Sequence, residues 1–226
     1  PVAYNMGRMG NALPTLLESI KIINDNGIWY GLAVGGNAPT GVASGRVVLI
    51  NFGASLANNT PVATNLGNFL AMGFPTDIKV LRESGNWAAF ITDAYSNSRI
   101  VRLDFGNSLV NIPLATPINV PNMSFPTGMC EVKDRGNWYL FVCNNDNSTL
   151  TRINLGTSLF NNTPASQNLG NPGNLLHKTR DMMLLRTCDG LHGYVFSESN
   201  KLTGLRFGGD SVMGAITATD MGNPGN

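Results

Sequence analysis

Charged side chains that could hold an ion or a ligand occur at one recurring place in this sequence of 226 residues. Glu18, Asp77, Lys79 and Glu131 fall on extended runs that are predicted below to be the innermost strands of a repeat. Such strands line a channel, where carboxylates could bind water, a cation or a ligand. A solvated channel wall also requires alternating polar residues, and the inner-strand charges are interpreted in this second way.

Histidine is too scarce to support the common metal or hydrolytic sites. His177 and His192 are predicted at opposite ends of the fourth repeat, one in the segment that enters it and the other just after its first turn. They therefore cannot ligate one metal ion together or serve one Ser-His-Asp site. The sequence predicts a chain that is not an enzyme and has no catalytic residue, no metal site and no cofactor.

Cysteine and asparagine offer two further candidate sites. Cys130 and Cys143 lie on one face of a predicted hairpin, about 7 Å apart, whereas disulfides usually span roughly 4.4 to 6.8 Å between Cα atoms. A bulge could close that gap, but we expect buried thiols. The run NNDNST at 144–149 is rich in oxygen ligands for calcium, yet it lacks the spaced acidic residues of an EF-hand loop and is interpreted as a turn.

A repeat must position these residues, because nearly the same phrase occurs four times: INFGASL, LDFGNSL, INLGTSL and LRFGGDSV. Its glycines, Gly53, Gly106, Gly156 and Gly208, are separated by 53, 50 and 52 residues. A fixed period of about 20 to 50 residues is the signature of a repeat architecture.

Each repeat reads as four short antiparallel strands. In residues 74–122 the runs FPTDIKVLRE, NWAAFITD, RIVRLDFG and PLATPINV are separated by Gly, Asn and Ser, which is strand chemistry punctuated by turn chemistry. The first turn of each repeat is a dipeptide that ends in glycine, because a two-residue hairpin turn requires positive φ. These turns are Asn26–Gly27, Ser84–Gly85, Arg135–Gly136 and Asp189–Gly190.

An aromatic residue follows each of these turns. Trp29, Trp87 and Trp138 occupy this place in three repeats, and His192 occupies it in the fourth. An aromatic that recurs at one repeat position is most simply a contact made once per interface between repeats. The tryptophans are therefore predicted to pack between adjacent sheets.

A four-stranded sheet of about 50 residues cannot bury both faces alone, and radial packing of such sheets gives a β-propeller. The predicted fold is all-β, a β-propeller of four-stranded antiparallel blades with a period of about 50 residues. The run ITDAYSNSRIVRLDFG at 91–106 resembles the second-to-third-strand signature of the NHL and YWTD-type propeller superfamily, and FPTDI at 74–78 is similar to the start of the same blades. The matching residues of the signature are Thr92, Asp93, Asn97, Arg99 and Ile100.

Both ends of the chain carry the same predicted strand. PVAYNMG at 1–7 repeats PVATNLG at 61–67, yet the fourth repeat ends with a last strand of its own. We therefore expect a longer chain with further blades, and the alternative is a closed four-bladed ring with a redundant terminal strand. The predicted propeller region is 1–226, with the last strand of a preceding blade at 1–11 and blades at 12–68, 69–122, 123–173 and 174–226.

Composition restricts the partners. With 42% hydrophobic residues, 13% charged residues and a net charge of +1, the chain has no basic patch for nucleic acid. It also lacks the run of about 18 apolar residues that a membrane span needs. A surface covered by Asn, Gly, Ser and Thr predicts an exported bacterial protein, secreted or at the cell surface.

Loops at one face of the blades form the candidate binding surface. The loops between second and third strands should lie beside the connections between blades, where propellers present variable residues on a rigid frame. A protein is the favoured partner, and glycan remains possible because Asn side chains both donate and accept hydrogen bonds. The surface consists of Phe74, Tyr95, Asn97, Phe125, Asn145, Asp146 and Glu198.

The predicted function is non-catalytic binding or scaffolding by a propeller of a cell-surface protein. One alternative is a lectin-like propeller, which should repeat one site in every blade. The other is an enzyme of the lyase or lactonase type that related six-bladed propellers host, with its metal site in further blades.

Overall fold

Each sequence repeat folds into one antiparallel sheet of four strands in the computed structural model, which describes residues 5–36, 43–95, 98–198 and 200–223. The strands of every sheet follow chain order. The first sheet has β1 (Leu16–Asp25), β2 (Ile28–Gly36), β3 (Arg46–Gly53) and β4 (Val62–Gly67); the second has β5 (Pro75–Glu83), β6 (Asn86–Asp93), β7 (Arg99–Gly106) and β8 (Leu114–Ile118). The third has β9 (Pro126–Asp134), β10 (Asn137–Asn144), β11 (Thr149–Gly156) and β12 (Ala165–Gly170); the fourth has β13 (Thr179–Thr187), β14 (Gly190–Ser197), β15 (Lys201–Phe207) and β16 (Ile216–Asp220).

Helical structure in the described ranges consists of three short 3-10 segments, Phe69–Ala71, Pro172–Asn174 and Gly208–Asp210. Within the same ranges, no helix has the length and apolar character that crossing a bilayer requires.

Contacts divide the chain into two units, Pro1–Pro117 and Ile118–Asn226. The core of the first unit lies between the first two sheets, and the core of the second unit lies between the third and fourth sheets. The central strand β6 shows why: every residue after its first is buried, because a strand in this position is covered on both faces. The packed sheets thus hold the inner strands and the loops in fixed places within each unit.

Three hairpins have the predicted two-residue turns. At Asn26–Gly27 the φ angles are +52° and +87°, and the turns at Ser84–Gly85 and Arg135–Gly136 are nearly identical. Positive φ at both central residues is the type I′ geometry, which matches the twist of the two strands. The glycine-ended dipeptides therefore fix the register of the first two strands in these sheets.

The predicted turn of the fourth hairpin is wrong by one residue. Thr187 pairs with Gly190, so the turn is Cys188–Asp189, and Leu191 rather than His192 takes the place that Trp138 has in the third sheet. The Thr187 hydroxyl donates to the Asp189 carboxylate and to the Gly190 carbonyl. This hydrogen bonding lowers the pKa of Asp189, with the Thr187 hydroxyl as the main cause.

Asp134, a buried residue at the end of β9, joins the third sheet to the fourth. Its Oδ1 lies 3.0 Å from Arg186 Nη2, while its Oδ2 accepts hydrogen bonds from Ser211 Oγ at 2.9 Å and from the Val212 amide at 3.2 Å. The connection between β15 and β16 is thereby tied to the neighbouring sheet.

The two further candidate sites have structural explanations. Cys130 and Cys143 are both buried, and neither forms a disulfide. In the predicted calcium-like loop, the Asn144 side-chain amide donates to Thr149 Oγ1 and Thr151 Oγ1. The loop oxygens thus accept local hydrogen bonds, as expected of a turn.

Candidate functional site

Bulges near the start of the inner strands place polar residues at one repeated position. Two consecutive residues of β6 pair with Pro75 and Asp77 of β5. Strand β5 therefore has one extra residue between these two paired residues. The same shift occurs in β1 before Ser19 and in β13 before Asp181. A bulge re-aims the side chains that follow it, and such irregularities are frequent beside active sites.

Asp77 is the most strongly held of these residues. Its Oδ1 accepts hydrogen bonds from Ser19 Oγ at 2.8 Å and from the Ile78 amide at 2.7 Å, and its Oδ2 lies 2.7 Å from Lys79 Nζ. Asp77 and Lys79 are 7% and 9% exposed. Both carboxylate oxygens are therefore fixed by donors from two neighbouring inner strands.

Asp181 has the same local geometry in the second unit but a different exposure. Its Oδ1 accepts a hydrogen bond from the Met182 amide at 2.8 Å, as Asp77 does from Ile78, while the residue itself is exposed. Gly128 of β9 lies against it, and a Cβ atom at Gly128 would come within 2.3 Å of Asp181 Oδ1 and 2.5 Å of its Cα. Only glycine allows the two inner strands to approach so closely.

The predicted solvated wall of inner-strand charges is only partly correct. Glu18 is exposed and Glu131 is half-buried, but Asp77 and Lys79 form a buried ion pair. The Ser19 hydroxyl bonds Asp77, and packing buries both residues of the pair, so the pair is removed from water.

Within the second unit, the structure brings the predicted loop residues together. The Asn145 amide group donates to Glu198 Oε1 at 3.0 Å and to the Thr179 carbonyl at 3.2 Å, while the backbone amide of Asn145 donates to the Phe125 carbonyl at 3.0 Å. Asp146 lies beside it in the chain and pairs with Lys178 at 3.3 Å. Asn145 is only 5% exposed, so it supports this cluster, whereas Asp146 and Glu198 face solvent.

In the first unit, Phe74 and Tyr95 are in contact. Their ring centroids are 5.8 Å apart in an edge-to-face arrangement. Phe74 is 8% exposed and cannot serve as the predicted surface anchor, because it packs beneath the loops. Asn97, the third predicted residue here, lies outside the described residues.

Asp93 organises the loop that enters the second sheet. Its Oδ1 accepts hydrogen bonds from the Gly73 and Phe74 amides at 2.9 and 3.0 Å, and Arg99 Nε lies 3.3 Å from its Oδ2. Burial raises the pKa of Asp93, and these contacts oppose that effect only in part. The third sheet has Asn144 at this position, which shows that the fold accepts an amide there.

Asp93→Asn should therefore become more stable relative to the unsubstituted chain as pH rises. A raised pKa means that the stabilisation by the protonated carboxyl is complete below the pKa of the unfolded chain and is lost as pH rises through the pKa of the folded chain. The amide mimics the protonated form at every pH. Urea unfolding of both proteins from about pH 3 to about pH 7 measures this difference.

Asp220→Asn is the matched control. The Gly222 amide is the main cause of the lowered pKa of this exposed carboxyl. The stabilisation by the ionised Asp220 carboxyl is present above the pKa that this group has in the unfolded chain, and it is lost as pH falls. Asp220→Asn should therefore become less stable relative to the unsubstituted chain as pH rises. The free energies of unfolding of the unsubstituted chain and of Asp93→Asn are compared at each pH. If their difference does not vary with pH, the raised pKa of Asp93 is contradicted.

Sequence reasoning placed Asp77 on an inner strand but interpreted it as part of a solvated wall, and it missed Ser19, Gly128 and Asp181. The runs PTDIK and TRDMM align once the bulge is counted, with Asp77 and Asp181 in the same place. Asp181 is found when the repeats are aligned at the bulges of their inner strands rather than at their recurring glycines.

No protein-family model matches the sequence, and no curated protein matches it significantly. Solved structures do share its fold. The GH43_1 enzyme from Xanthomonas citri, complexed with xylose, superposes with a TM-score of 0.58 at 10% sequence identity over 90% of this chain and 73% of that chain. The α-L-arabinofuranosidase from Podospora anserina, in complex with cellotriose, gives a TM-score of 0.59 at 13% identity over 89% of this chain and 66% of that chain.

The catalytic domain of the GH62 α-L-arabinofuranosidase from Coprinopsis cinerea gives the same TM-score of 0.59, at 13% identity over 89% of this chain and 67% of that chain. Identities this low establish the fold alone. The fold class predicted from the sequence, an all-β propeller of four-stranded antiparallel blades, is confirmed.

Four expectations are corrected by these comparisons. The NHL and YWTD type is not supported, because the similar structures are GH43 and GH62 enzymes. For the same reason the predictions of a non-catalytic scaffold and of a chain that is not an enzyme are wrong. The expected protein partner has no support among them, whereas the sugar complexes leave glycan as a candidate ligand.

Proposed function

We propose that this chain is a glycan-directed propeller that hydrolyses glycosidic bonds, with Asp181 of the second unit as a working carboxylate. The observation that carries the proposal is the geometry of Asp181, which repeats the geometry that Asp77 has within the first unit. Each follows a bulge in an inner strand, and each accepts a hydrogen bond from the next backbone amide. The similarity in fold to glycoside hydrolases supports a hydrolytic role for Asp181.

Glycoside hydrolysis needs two carboxyl groups in different roles. One donates a proton to the departing glycosidic oxygen, and the other acts as a nucleophile or activates water. Asp181 is exposed and can exchange protons with solvent, which suits the proton donor.

Arabinose- and xylose-containing glycans are the proposed substrate class, because the similar structures include two α-L-arabinofuranosidases and a complex with xylose. The proposal includes the export that the charge-poor, Asn-rich composition predicts.

The experiment is a hydrolysis assay of the purified chain on p-nitrophenyl α-L-arabinofuranoside, p-nitrophenyl β-D-xylopyranoside and arabinoxylan. Release of p-nitrophenol or of reducing sugar, linear in protein concentration, is the expected result. Binding of xylotriose is measured on the same preparation by calorimetry. Absence of product from all three substrates would refute the hydrolytic function, even if xylotriose binds.

A further inference from the structure

Arg102 and Arg152 occupy equivalent positions in the third strands of the second and third sheets. Arg102 of β7 lies opposite Phe90, and Arg152 of β11 lies opposite Phe141. Both arginines are almost fully buried, at 2% and 6% exposure. A buried guanidinium ordinarily requires a counter-charge, because isolated burial of an ion is costly.

Arg102 has that counter-charge two residues further along its strand. Its Nε lies 2.6 Å from Asp104 Oδ1, and its Nη2 lies 3.0 Å from Asp104 Oδ2. This is the bidentate pairing in which a guanidinium and a carboxylate match each other's geometry.

Arg152 lacks such a partner. Asn154 stands where the second sheet has Asp104, and its side-chain oxygen accepts a hydrogen bond from the Gly156 amide instead. Among the described residues, Arg152 forms no ion pair. Burial lowers the pKa of Arg152, as expected for a cation without a compensating anion.

Neutral groups hold the Arg152 side chain in place. Its Nη1 donates to the Val212 carbonyl and its Nη2 donates to Gln167 Oε1, each at 2.5 Å. A guanidinium has five N–H donors, so these two bonds leave three for another acceptor.

The side chain lies at the wall of a cleft of about 340 Å³ in the second unit. Such a volume is at the lower end of the range for small-molecule sites. Gln167, which lies opposite Arg152 in the neighbouring strand, lines the cleft together with apolar residues. An amide side chain can donate to and accept from the hydroxyl groups of a sugar. The apolar residues include Leu169 and Met213.

We propose that this cleft binds the carboxylate of an acidic sugar, a hexuronic acid, through the guanidinium of Arg152. The ligand carboxylate supplies the counter-charge that Asp104 supplies in the second sheet. Gln167 bonds sugar hydroxyls, and Met213 and Leu169 contact the ring. The assignment of the ligand as a sugar rests on the proposed function. Its assignment as an anion depends on the guanidinium of Arg152, which forms no ion pair among the described residues.

Asn154→Asp tests the proposal with little risk to the fold, because Asp104 shows that an aspartate at this position pairs with the arginine. The new carboxylate should occupy Arg152 and exclude the ligand. Calorimetric titration with sodium glucuronate should show binding to the unsubstituted chain and at least about a tenfold rise in Kd for Asn154→Asp, the loss expected from a charge-assisted hydrogen bond. The melting temperature of Asn154→Asp should rise.

Arg152→Lys is the second variant, since it keeps the charge and removes the planar fork. It should weaken glucuronate binding by a similar factor. Unchanged Kd values in both variants, or no binding of glucuronate to the unsubstituted chain, would overturn the site. Sulfate and phosphate binding as tightly as glucuronate, or glucose binding equally well, would overturn the acidic-sugar assignment.

Hydrolysis of p-nitrophenyl α-L-arabinofuranoside by the unsubstituted chain is measured on the same preparation. Glucuronate binding without hydrolysis leaves this site established and refutes the proposed function. Hydrolysis without glucuronate binding supports the proposed function and refutes this site.

Discussion

Replacing Asp181 by Asn is expected to lower kcat for arabinoxylan by a factor of about 10² to 10⁴, the range that a positioned acid or base contributes. The amide has nearly the size of the carboxyl group, and its oxygen can still accept the hydrogen bond from Met182. It cannot donate or receive the proton that the departing sugar oxygen requires. Steady-state release of reducing sugar from arabinoxylan measures the loss, because its leaving group is a sugar oxygen.

Asp210→Asn is the matched control, because Asp210 is an exposed carboxylate of the same unit that bonds Arg186. It should leave kcat within about twofold, as expected for a surface substitution away from the site. A decrease of less than about threefold in Asp181→Asn, with an unchanged melting temperature, would show that Asp181 is not the proton donor.

Trp87→Ala should lower the free energy of unfolding by about 3 to 5 kcal/mol, as large-to-small substitutions in packed cores do. The indole is 7% exposed and lies in the core that the first two sheets share, with the guanidinium of Arg82 4.9 Å from its ring centroid. Removal of the ring leaves a cavity between the sheets. Urea unfolding with a fixed m value gives the change.

Trp87→Phe separates packing from hydrogen bonding. Trp87 Nε1 is buried and has no partner among the described residues, so phenylalanine retains much of the apolar contact and removes an unsatisfied donor. Its cost should be well below that of alanine, at about 1 to 2 kcal/mol. Trp138, which is half-buried beneath Lys133, provides the comparison in the second unit. A loss under about 1 kcal/mol in Trp87→Ala would show that the ring does not pack between sheets.

Much of the fold could be predicted because its causes are local. Glycine at Gly27, Gly85 and Gly136 supplies the positive φ of a two-residue turn, and that requirement is visible in the dipeptide alone. The fourth hairpin could not be predicted in this way, because Asp189 accepts a hydrogen bond from Thr187 and moves the turn by one residue.

The candidate site could not be predicted in full, because it depends on contacts between residues that are distant in the sequence. Asp77 was visible on its strand, but its burial depends on Ser19, 58 residues earlier. Phe74 and Asn145 were predicted at the surface from their place in loops, yet both are buried because they fix those loops from beneath. The proposed reaction was not predictable from the sequence, because propellers serve many functions and the chemistry lies in few side chains.

Asp134 has a consequence for how the second unit opens. In arrays of repeats, the interface between neighbours determines whether they unfold singly or together. Because the Asp134 carboxylate binds Arg186, Ser211 and the Val212 amide, the fourth sheet cannot separate without leaving a buried anion unpaired. Hydrogen exchange at the Val212 amide should therefore report the cooperative opening of two blades as one foldon.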